Sequence, residues 1–490
     1  MRGRRRGGWL AAALVVAVLT PSSLGAVATA VPPGSWTSAL QLPGSTTLNA
    51  GVTGLGNPAS PSVNGISCPS VGNCSAGGAY VDRKGHGQAF VVGEVQGRWQ
   101  RAEEVPGSAV LNAGGRAEIN SVSCSSAGNC GAGGDYTDRS GKLEALVAVE
   151  AGGVWHRAIE VPATGALNGH GDAAVVSVSC RSSGDCSAGG YYTDRAGFQA
   201  FVVNEVGGIW HAAQEIPGSG ILNVGGNAQV RSVSCGAPGA CSAVGYYATA
   251  RSQTGAFVVN EQNGSWGRAQ VVPNSARLDT GHVAALDAVS CSAVGDCSAV
   301  GDFLNFVKSR AFDQPFVATE SHGVWGLAQR LPLPYRLIAA GQVNATALSC
   351  ATAGNCSVGG AYWDARGNWL VFAASQVGGI WGKAAEIPGT GKLNAGANGQ
   401  VNSLSCGDPG YCAAAGYVTT ARRAQQAFVV LQSSGVWHGA QILPNSERLN
   451  GGDQAEVGAV SCTPSGFCGV GGDFRRRGGS QQLFVANFQP

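Results

Sequence analysis

The chain has 490 residues, 77 of them glycine; charged residues make up only 12%, and 31 Lys+Arg balance 29 Asp+Glu. That balance leaves no basic footprint for nucleic acid or anionic lipid. Abundant glycine with so little charge argues for many turns and few helices, and no stretch after the first thirty residues keeps a 3.6-residue apolar period.

The opening segment places Arg2, Arg4, Arg5 and Arg6 before an apolar run from Trp9 to Leu19, followed by the small-residue steps Ala26-Val27-Ala28 and Ala28-Thr29-Ala30. This is the pattern of a secretory signal peptide, residues 1–30, cut after Ala28 or Ala30. The run is shorter than the roughly 20 apolar residues a spanning helix needs. No later segment reaches that length either, so no membrane span is expected and residues 31–490 read as one domain.

From residue 35 on the chain repeats. All sixteen cysteines fall in C-x5-C pairs: Cys68/Cys74, Cys124/Cys130, Cys180/Cys186, Cys235/Cys241, Cys291/Cys297, Cys350/Cys356, Cys406/Cys412 and Cys462/Cys468. Successive pairs begin 55 to 59 residues apart. Eight tryptophans, the first of them Trp36, keep step with them, and Trp99, Trp155, Trp210, Trp266, Trp325, Trp381 and Trp437 each stand 25 residues ahead of the next pair. A period this steady means repeat architecture.

One unit shows four strand-like pieces: Val230 to Cys235, Cys241 to Tyr247, Ala256 to Glu261 and Trp266 to Pro273. Joined by Gly-rich turns, they form one antiparallel meander, the unit of a propeller blade. The repeats begin with a lone fourth strand, Ser35 to Pro43, and end with three strands that lack a fourth. Pairing the two closes a ring and removes the open edges. The expected fold is therefore all-β, an eight-bladed β-propeller of four-stranded blades, with the last blade closed by the N-terminal strand. The two cysteines of each pair end strand one and begin strand two, so they face each other across a hairpin and predict one disulfide per blade. Such bonds persist in an oxidising compartment. The alternative, zinc, requires two pairs to converge on each metal, which separate blades prevent.

Residues present in every blade read first as scaffold. Asp82, Asp138, Asp194 and Asp364 suit hairpin turns, as do Asn112, Asn168, Asn223 and Asn394 in the recurring Leu-Asn steps. Residues that break the repeat are the candidates for binding. The connector from Leu48 to Pro61 carries seven extra residues, and the fifth hairpin, Asp302 to Phe316, carries three. That hairpin supplies Asp302, Phe303, Phe306 and Lys308; the next connector supplies Tyr335 and Arg336; the sixth hairpin supplies Trp363 and Trp369. All are expected on one face, which the hairpins between strands two and three share with the connectors between blades. No G-x-S-x-G, H-E-x-x-H or Walker A sequence occurs. His156, His211 and His438 follow the repeated Trp and read as surface residues, so no catalytic residue, metal or cofactor is expected.

The turn before the repeated Trp reads E-x-x-G-x-W at Glu94 to Trp99, Glu261 to Trp266 and Glu320 to Trp325. It resembles a degenerate Asp-box, the turn of sialidase-like propellers, without that motif's Asp. The SVSC-x5-C-x-A-G-G-Y-Y-T-D pattern resembles a family of secreted actinobacterial β-propeller repeat proteins, across nearly all of residues 35 to 490. The resemblance implies secretion and the propeller, and carries over no active-site residue. The function expected is a secreted, monomeric, non-enzymatic scaffold that binds a glycan, a cell-wall polymer or an extracellular protein. The alternative is a secreted hydrolase or lyase acting on a polysaccharide, and a purely structural surface protein is the third reading.

Overall fold

The computed structural model describes residues 34–51, 60–249, 253–307, 310–338 and 341–490. The signal-peptide segment, Lys308 and most of the long connector from Leu48 to Pro61 lie outside these. Ser35–Pro490 form one compact unit. It contains eight antiparallel sheets, each running from an inner first strand to an outer fourth, such as Gln229–Ala237, Ala240–Ala248, Thr254–Gln262 and Ser265–Trp266 in blade 4. In the last sheet Ser35 and Trp36 pair with Gln489 and Phe488, so the N-terminal strand completes blade 8. First strands of successive blades are neighbours around the ring, and that of blade 8 lies against that of blade 1. Among the described residues no helix is long and apolar enough to cross a membrane.

Each C-x5-C forms its own disulfide: Cys68–Cys74, Cys124–Cys130, Cys180–Cys186, Cys235–Cys241, Cys291–Cys297, Cys350–Cys356, Cys406–Cys412 and Cys462–Cys468. The sulfurs also make contacts beyond their own hairpin. The second cysteines, Cys74, Cys130, Cys186, Cys241, Cys297, Cys356, Cys412 and Cys468, are all buried, because the sulfurs pack against strand two of the preceding blade. A Cβ on Gly131 would fall 2.8 Å from Cys180 Sγ, and one on Gly469 would fall 2.8 Å from Cys68 Sγ. Where a serine stands there instead, its hydroxyl faces the sulfur: Ser242 Oγ lies 3.4 Å from Cys297 Sγ, Ser298 Oγ 3.5 Å from Cys356 Sγ and Ser357 Oγ 3.5 Å from Cys412 Sγ. A bonded sulfur has no proton, so in each contact the hydroxyl is the only possible donor. Cys468 Sγ lies 3.8 Å from Gly466 O, a packing contact in which neither atom carries a hydrogen. The disulfides are thus wedges between blades as well as staples within them.

The SVSC sequence does more than alternate. The serine before the first cysteine of each blade accepts a hydrogen bond from the backbone N–H of the next blade's first cysteine. Ser67 Oγ accepts from Cys124 N at 2.9 Å, the bond recurs at every junction, and Ser461 Oγ accepts from Cys68 N at 3.0 Å to close the circle. A second circle runs near the outer edge. Ala102 N donates to Pro43 O at 2.8 Å, equivalent alanines do the same to the preceding blade, and Ala39 N donates to Pro444 O at 2.7 Å.

This outer circle corrects the expectation of an unbroken fourth strand. In blade 4 the strand is two short pieces, Ser265–Trp266 and Gln270–Val271, both paired to strand three. Between them Ala269 turns its N–H away, to Pro217 O of the previous blade. The connectors also hold one helical turn each, such as Ser219–Leu222, entered through a left-handed residue (Gly218, φ 78°). Asn223 then ties the turn to strand three of its own blade, through Nδ2 to Phe198 O at 2.8 Å.

First and second strands are out of step by one residue in every blade, as between Val175 and Ser177. At this bulge the two strands pass so close that a Cβ on Gly190 would fall 1.9 Å from Ala174 O. The second glycine of A-G-G is thus required by backbone approach.

Between blades a buried rung links strand two to strand three. Ser75 Oγ donates to Glu150 Oε2 at 2.9 Å, Ser187 Oγ to Glu261 Oε2 at 3.0 Å and Ser242 Oγ to Glu320 Oε2 at 3.1 Å. Where asparagine stands before the glutamate it receives the next tryptophan: Trp266 Nε1 donates to Asn204 Oδ1, and Trp325 Nε1 to Asn260 Oδ1, each at 2.9 Å. The glutamate and tryptophan of the E-x-x-G-x-W turn are therefore scaffold.

One rung is broken. In blade 2 Gly131 and Val149 replace the serine and asparagine, and both oxygens of the buried Glu205 in blade 3 have no partner among the described residues. Burial, helped by Asp185, pushes the Glu205 carboxyl up to about 7. A raised carboxyl favours folding at low pH, and that contribution fades as pH rises from about 4.5 to about 7. Glu205→Gln is therefore expected to equal the wild type near pH 4 and exceed its stability at pH 8 by up to about 3 kcal/mol, measured by denaturant unfolding. Ser461→Ala leaves the buried Cys68 N–H unpaired and is expected to cost about 1–3 kcal/mol in the same assay.

Candidate functional site

Where the inner wall meets the connector face, the repeat fails chemically. The bulged residue of each first strand remains at least partly exposed at the centre of the ring, from Asn64 and Asn120 to Arg231, Asp287 and Asn402. A water-accessible channel follows. Several of these side chains cross to the next blade: Asn120 Nδ2 donates to Val175 O at 3.0 Å, Asn402 Nδ2 to Val457 O at 3.0 Å, and Arg231 pairs with Asp287 at 2.7 Å.

Just toward the mouth, cross-strand partners bring acids face to face. Glu118 lies opposite Asp135 in blade 2, and Glu456 opposite Asp473 in blade 8. In blade 5 Asp302 stands at the matching position, opposite Ala285, with Asp287 close enough to act on it. Three other blades carry tyrosine there, Tyr191, Tyr246 and Tyr417. The eightfold scaffold does not dictate this variety.

Burial sets the protonation of these acids. Asp135 is pushed up to about 7, first by burial and then by Glu118, against the pull of Arg116 and a hydrogen bond from Asn120. Asp302 is held well above the usual carboxylate range by burial and by Asp287, and Asp473 by burial and by Glu456. In each case burial, with a neighbouring acid, favours the protonated form over the ionised one.

The sequence candidates divide. Asp302 belongs to the channel mouth. Phe303 does not reach a surface: it is 1% exposed, packs edge-on against Phe316 with ring centroids 6.1 Å apart, and lies under Arg330. It occupies the position at which Tyr136 and Tyr192 bond Glu160 and Glu215, so the Phe303–Arg330 contact is a variant of a scaffold pair. Phe306 is half exposed on the long hairpin, and Lys308 lies outside the described residues. Tyr335 and Arg336 begin the helical turn Tyr335–Ile338, which touches the second strand of blade 6, Asn355–Trp363. Tyr335 is 81% exposed. Trp363 and Trp369 face each other across the hairpin, edge to face, with centroids 5.2 Å apart. The structure thus sets the helical turn that begins with Tyr335 and Arg336 against strand two of the tryptophan-bearing hairpin, and leaves Phe303 in the core.

The repeated polar residues behave as turn formers. Asp138 Oδ1 accepts from Ser140 N and Lys142 N at 2.8 and 2.9 Å, and Asn112, Asn168, Asn223 and Asn394 are buried. His156, His211 and His438 are exposed. The acid and tyrosine pattern of the channel mouth went unnoticed in the sequence, although one signal was present: the residue five places after the second cysteine changes among Ala, Asp and Tyr while its neighbours hold.

Comparison with known proteins gives the fold and no more. No family model and no curated protein sequence matches the chain. Among solved structures, Sqt1 of Chaetomium thermophilum bound to the N-terminus of the ribosomal protein L10 is similar at TM-score 0.50 and 8% identity, over 89% of this chain and 98% of that one. A GH74 xyloglucanase of Xanthomonas campestris is similar at TM-score 0.45 and 11% identity, over 92% of this chain and 68% of that one. A mutant NanB sialidase of Streptococcus pneumoniae reaches TM-score 0.31 at 12% identity, over 89% and 70%.

Because ionised Asp302 is disfavoured in the folded state, Asp302→Asn, which keeps the acceptor for Ala345 N, is expected to melt higher than the wild type at pH 9 and no higher at pH 4. Thermal scans at both pH values check this.

Proposed function

We propose that the protein is exported and works outside the cell as a non-enzymatic binding ring, recognising a glycan, a cell-wall polymer or a protein through its connector face. One observation carries the reading. On that face the helical turn that begins with the exposed Tyr335 and Arg336 touches strand two of the hairpin carrying the Trp363–Trp369 pair, whereas the repeated serines before the first cysteines and the Leu-Asn asparagines are engaged in bonds within and between blades. Aromatic side chains with a polar edge supply contact area at low entropic cost, and Arg adds directed donors. The eight disulfides fit an oxidising compartment, as an exported protein would meet. The solved structure of Sqt1 is described in complex with the N-terminus of a ribosomal protein, which illustrates peptide capture on a propeller without assigning that partner here.

Residues 31–490 are expected to be retained by insoluble cell-wall polymer, or by a glycan or protein from the extracellular medium, without consuming it. Trp363→Ala and Tyr335→Ala should each weaken retention about tenfold, the order expected for loss of an aromatic anchor. Retention unchanged in both variants would remove the aromatic cluster as the site, and turnover of the retained polymer, lost on changing Asp302, Arg336 or Trp363, would replace the binding reading with the hydrolase or lyase one.

A further inference from the structure

One junction between blades lacks a side chain that others use. The residue before the strand-three glutamate stands opposite the strand-two residue: Asn204 opposite Ser187 in blade 3, Asn260 opposite Ser242 in blade 4, and Gly93 opposite Ser75 in blade 1. In blades 3 and 4 the asparagine carboxamide serves the next blade twice. Its oxygen accepts from the tryptophan, and its nitrogen donates to the glutamate, Asn204 to Glu261 Oε1 and Asn260 to Glu320 Oε1. The serine holds the other oxygen of each glutamate.

Between blades 1 and 2 the carboxamide is missing and its partners remain. Trp155 is 7% exposed, and its Nε1 is buried with no hydrogen-bond partner among the described residues. Glu150 receives one hydrogen bond among the described residues, from Ser75 on Oε2, so that Oε1 is left without a donor. A Cβ added to Gly93 would meet no atom within 4 Å. The vacated space belongs to a cleft of about 380 Å³ that Gly93, Trp155, Ser75 and Glu150 line together. The matching cleft between blades 4 and 5 has the same volume, about 380 Å³, but there Asn260 already satisfies the tryptophan and the glutamate. Trp99, Trp210 and Trp381 also have an unpartnered Nε1, yet a side chain, Asn487, Val149 or Thr319, stands at the place that Gly93 leaves empty.

A group that offers an acceptor to an indole N–H and a donor to a carboxylate is an amide. The cleft is larger than an amide alone needs and falls within the roughly 300–1,000 Å³ of small-molecule sites. Its rim carries the exposed polar side chains Gln100, Arg101 and Glu103, suited to hydroxyl groups, and the backbone of Gly152 and Gly153, which lets a ring approach closely. A secondary amide has one N–H to give, and Glu150 Oε1 is the one carboxylate oxygen of the slot that lacks a donor. These features together favour an acetamido group carried on a sugar ring.

We propose that the cleft between blades 1 and 2 binds an N-acetylated sugar, the acetamido oxygen accepting from Trp155 Nε1 and the acetamido N–H donating to Glu150 Oε1. The cleft is lined by Gly128 of a disulfide loop and lies on the face opposite the connectors, so the inference does not rest on the aromatic cluster of the connector face.

Heteronuclear NMR of nitrogen-labelled residues 31–490 reads the indole N–H directly. N,N′-diacetylchitobiose is expected to shift the Trp155 resonance, assigned by its loss in Trp155→Phe. Cellobiose, with hydroxyls in place of the acetamido groups, is expected to leave it unmoved. Gly93→Asn rebuilds the bonded slot of blades 3 and 4 at a residue whose φ is not positive. It is expected to melt no lower than the wild type and to bind the disaccharide about tenfold more weakly, the order of one lost hydrogen-bonded group. Should Gly93→Asn melt early, the same loss is expected of Trp155→Phe, followed by calorimetry. Trp363→Ala should bind normally, which keeps this test separate from that of the connector face. An unmoved Trp155 resonance at millimolar disaccharide, equal shifts with cellobiose, or full binding by a folded Gly93→Asn would each overturn the proposal. A larger shift with N-acetylglutamine amide than with the disaccharide would overturn it as well, by assigning the slot to a peptide.

Discussion

The architecture depends on one hydrogen bond made eight times. A sheet of four strands has two edges, and each first strand here carries unpaired backbone groups toward the centre of the ring. The serine before each first cysteine takes the N–H of the neighbouring blade, and the last bond, Ser461 to Cys68, returns to the beginning. Eight sheets thereby become one structure. The outer circle of alanine N–H to proline carbonyl bonds repeats the device near the other edge, at the cost of breaking the fourth strand in two. The disulfides stiffen each blade and fill the gap to the one before it, yet neither they nor the apolar cores oblige the blades to form a closed circle.

Much of this was legible in the sequence. Paired cysteines and phased tryptophans counted the blades, and the lone strand at one end with three at the other located the closure. What escaped was every feature resting on a relation between blades. Ser67 and Ser123 look like ordinary polar positions in an alternating strand, because their partner lies 57 residues away. The burial of Cys297, Cys356 and Cys412 escaped likewise, since the serines that cover them belong to another repeat. The two-residue pieces of the fourth strand escaped for the same reason, since the residue that interrupts them is drawn outward by another blade. Phe303 was read as a loop residue because its hairpin is long, yet it opens the hairpin on the buried side and substitutes for a tyrosine of the scaffold.

Comparing blades with one another does for this chain what homologous sequences do for others. Serine in strand two accompanies glutamate or glutamine in the next blade's strand three; where Phe488 replaces the acid, Ala413 replaces the serine. Gly131 with Glu205 and Gly469 with Glu94 both depart from that rule; Asn487 donates to Glu94 in place of the serine, whereas Glu205 has no donor among the described residues, and the acids of the channel mouth stand out likewise against the alanines of blades 1 and 6. Positions that follow the rule report on assembly, and those that depart from it without a structural substitute are where a ligand has room to act.

The strand at Ser35–Trp36 has a temporal consequence. It is the first part of the ring to be made, and its partners, Phe488 and Gln489, are the last. Seven blades can complete themselves from consecutive sequence, but the eighth must hold an unpaired strand, with Trp36 uncovered, until the far end of the chain arrives. Pairing the two ends closes the longest loop in the molecule and carries its largest loop-closure entropy, and a chain lacking either end strand keeps an open edge in its eighth sheet.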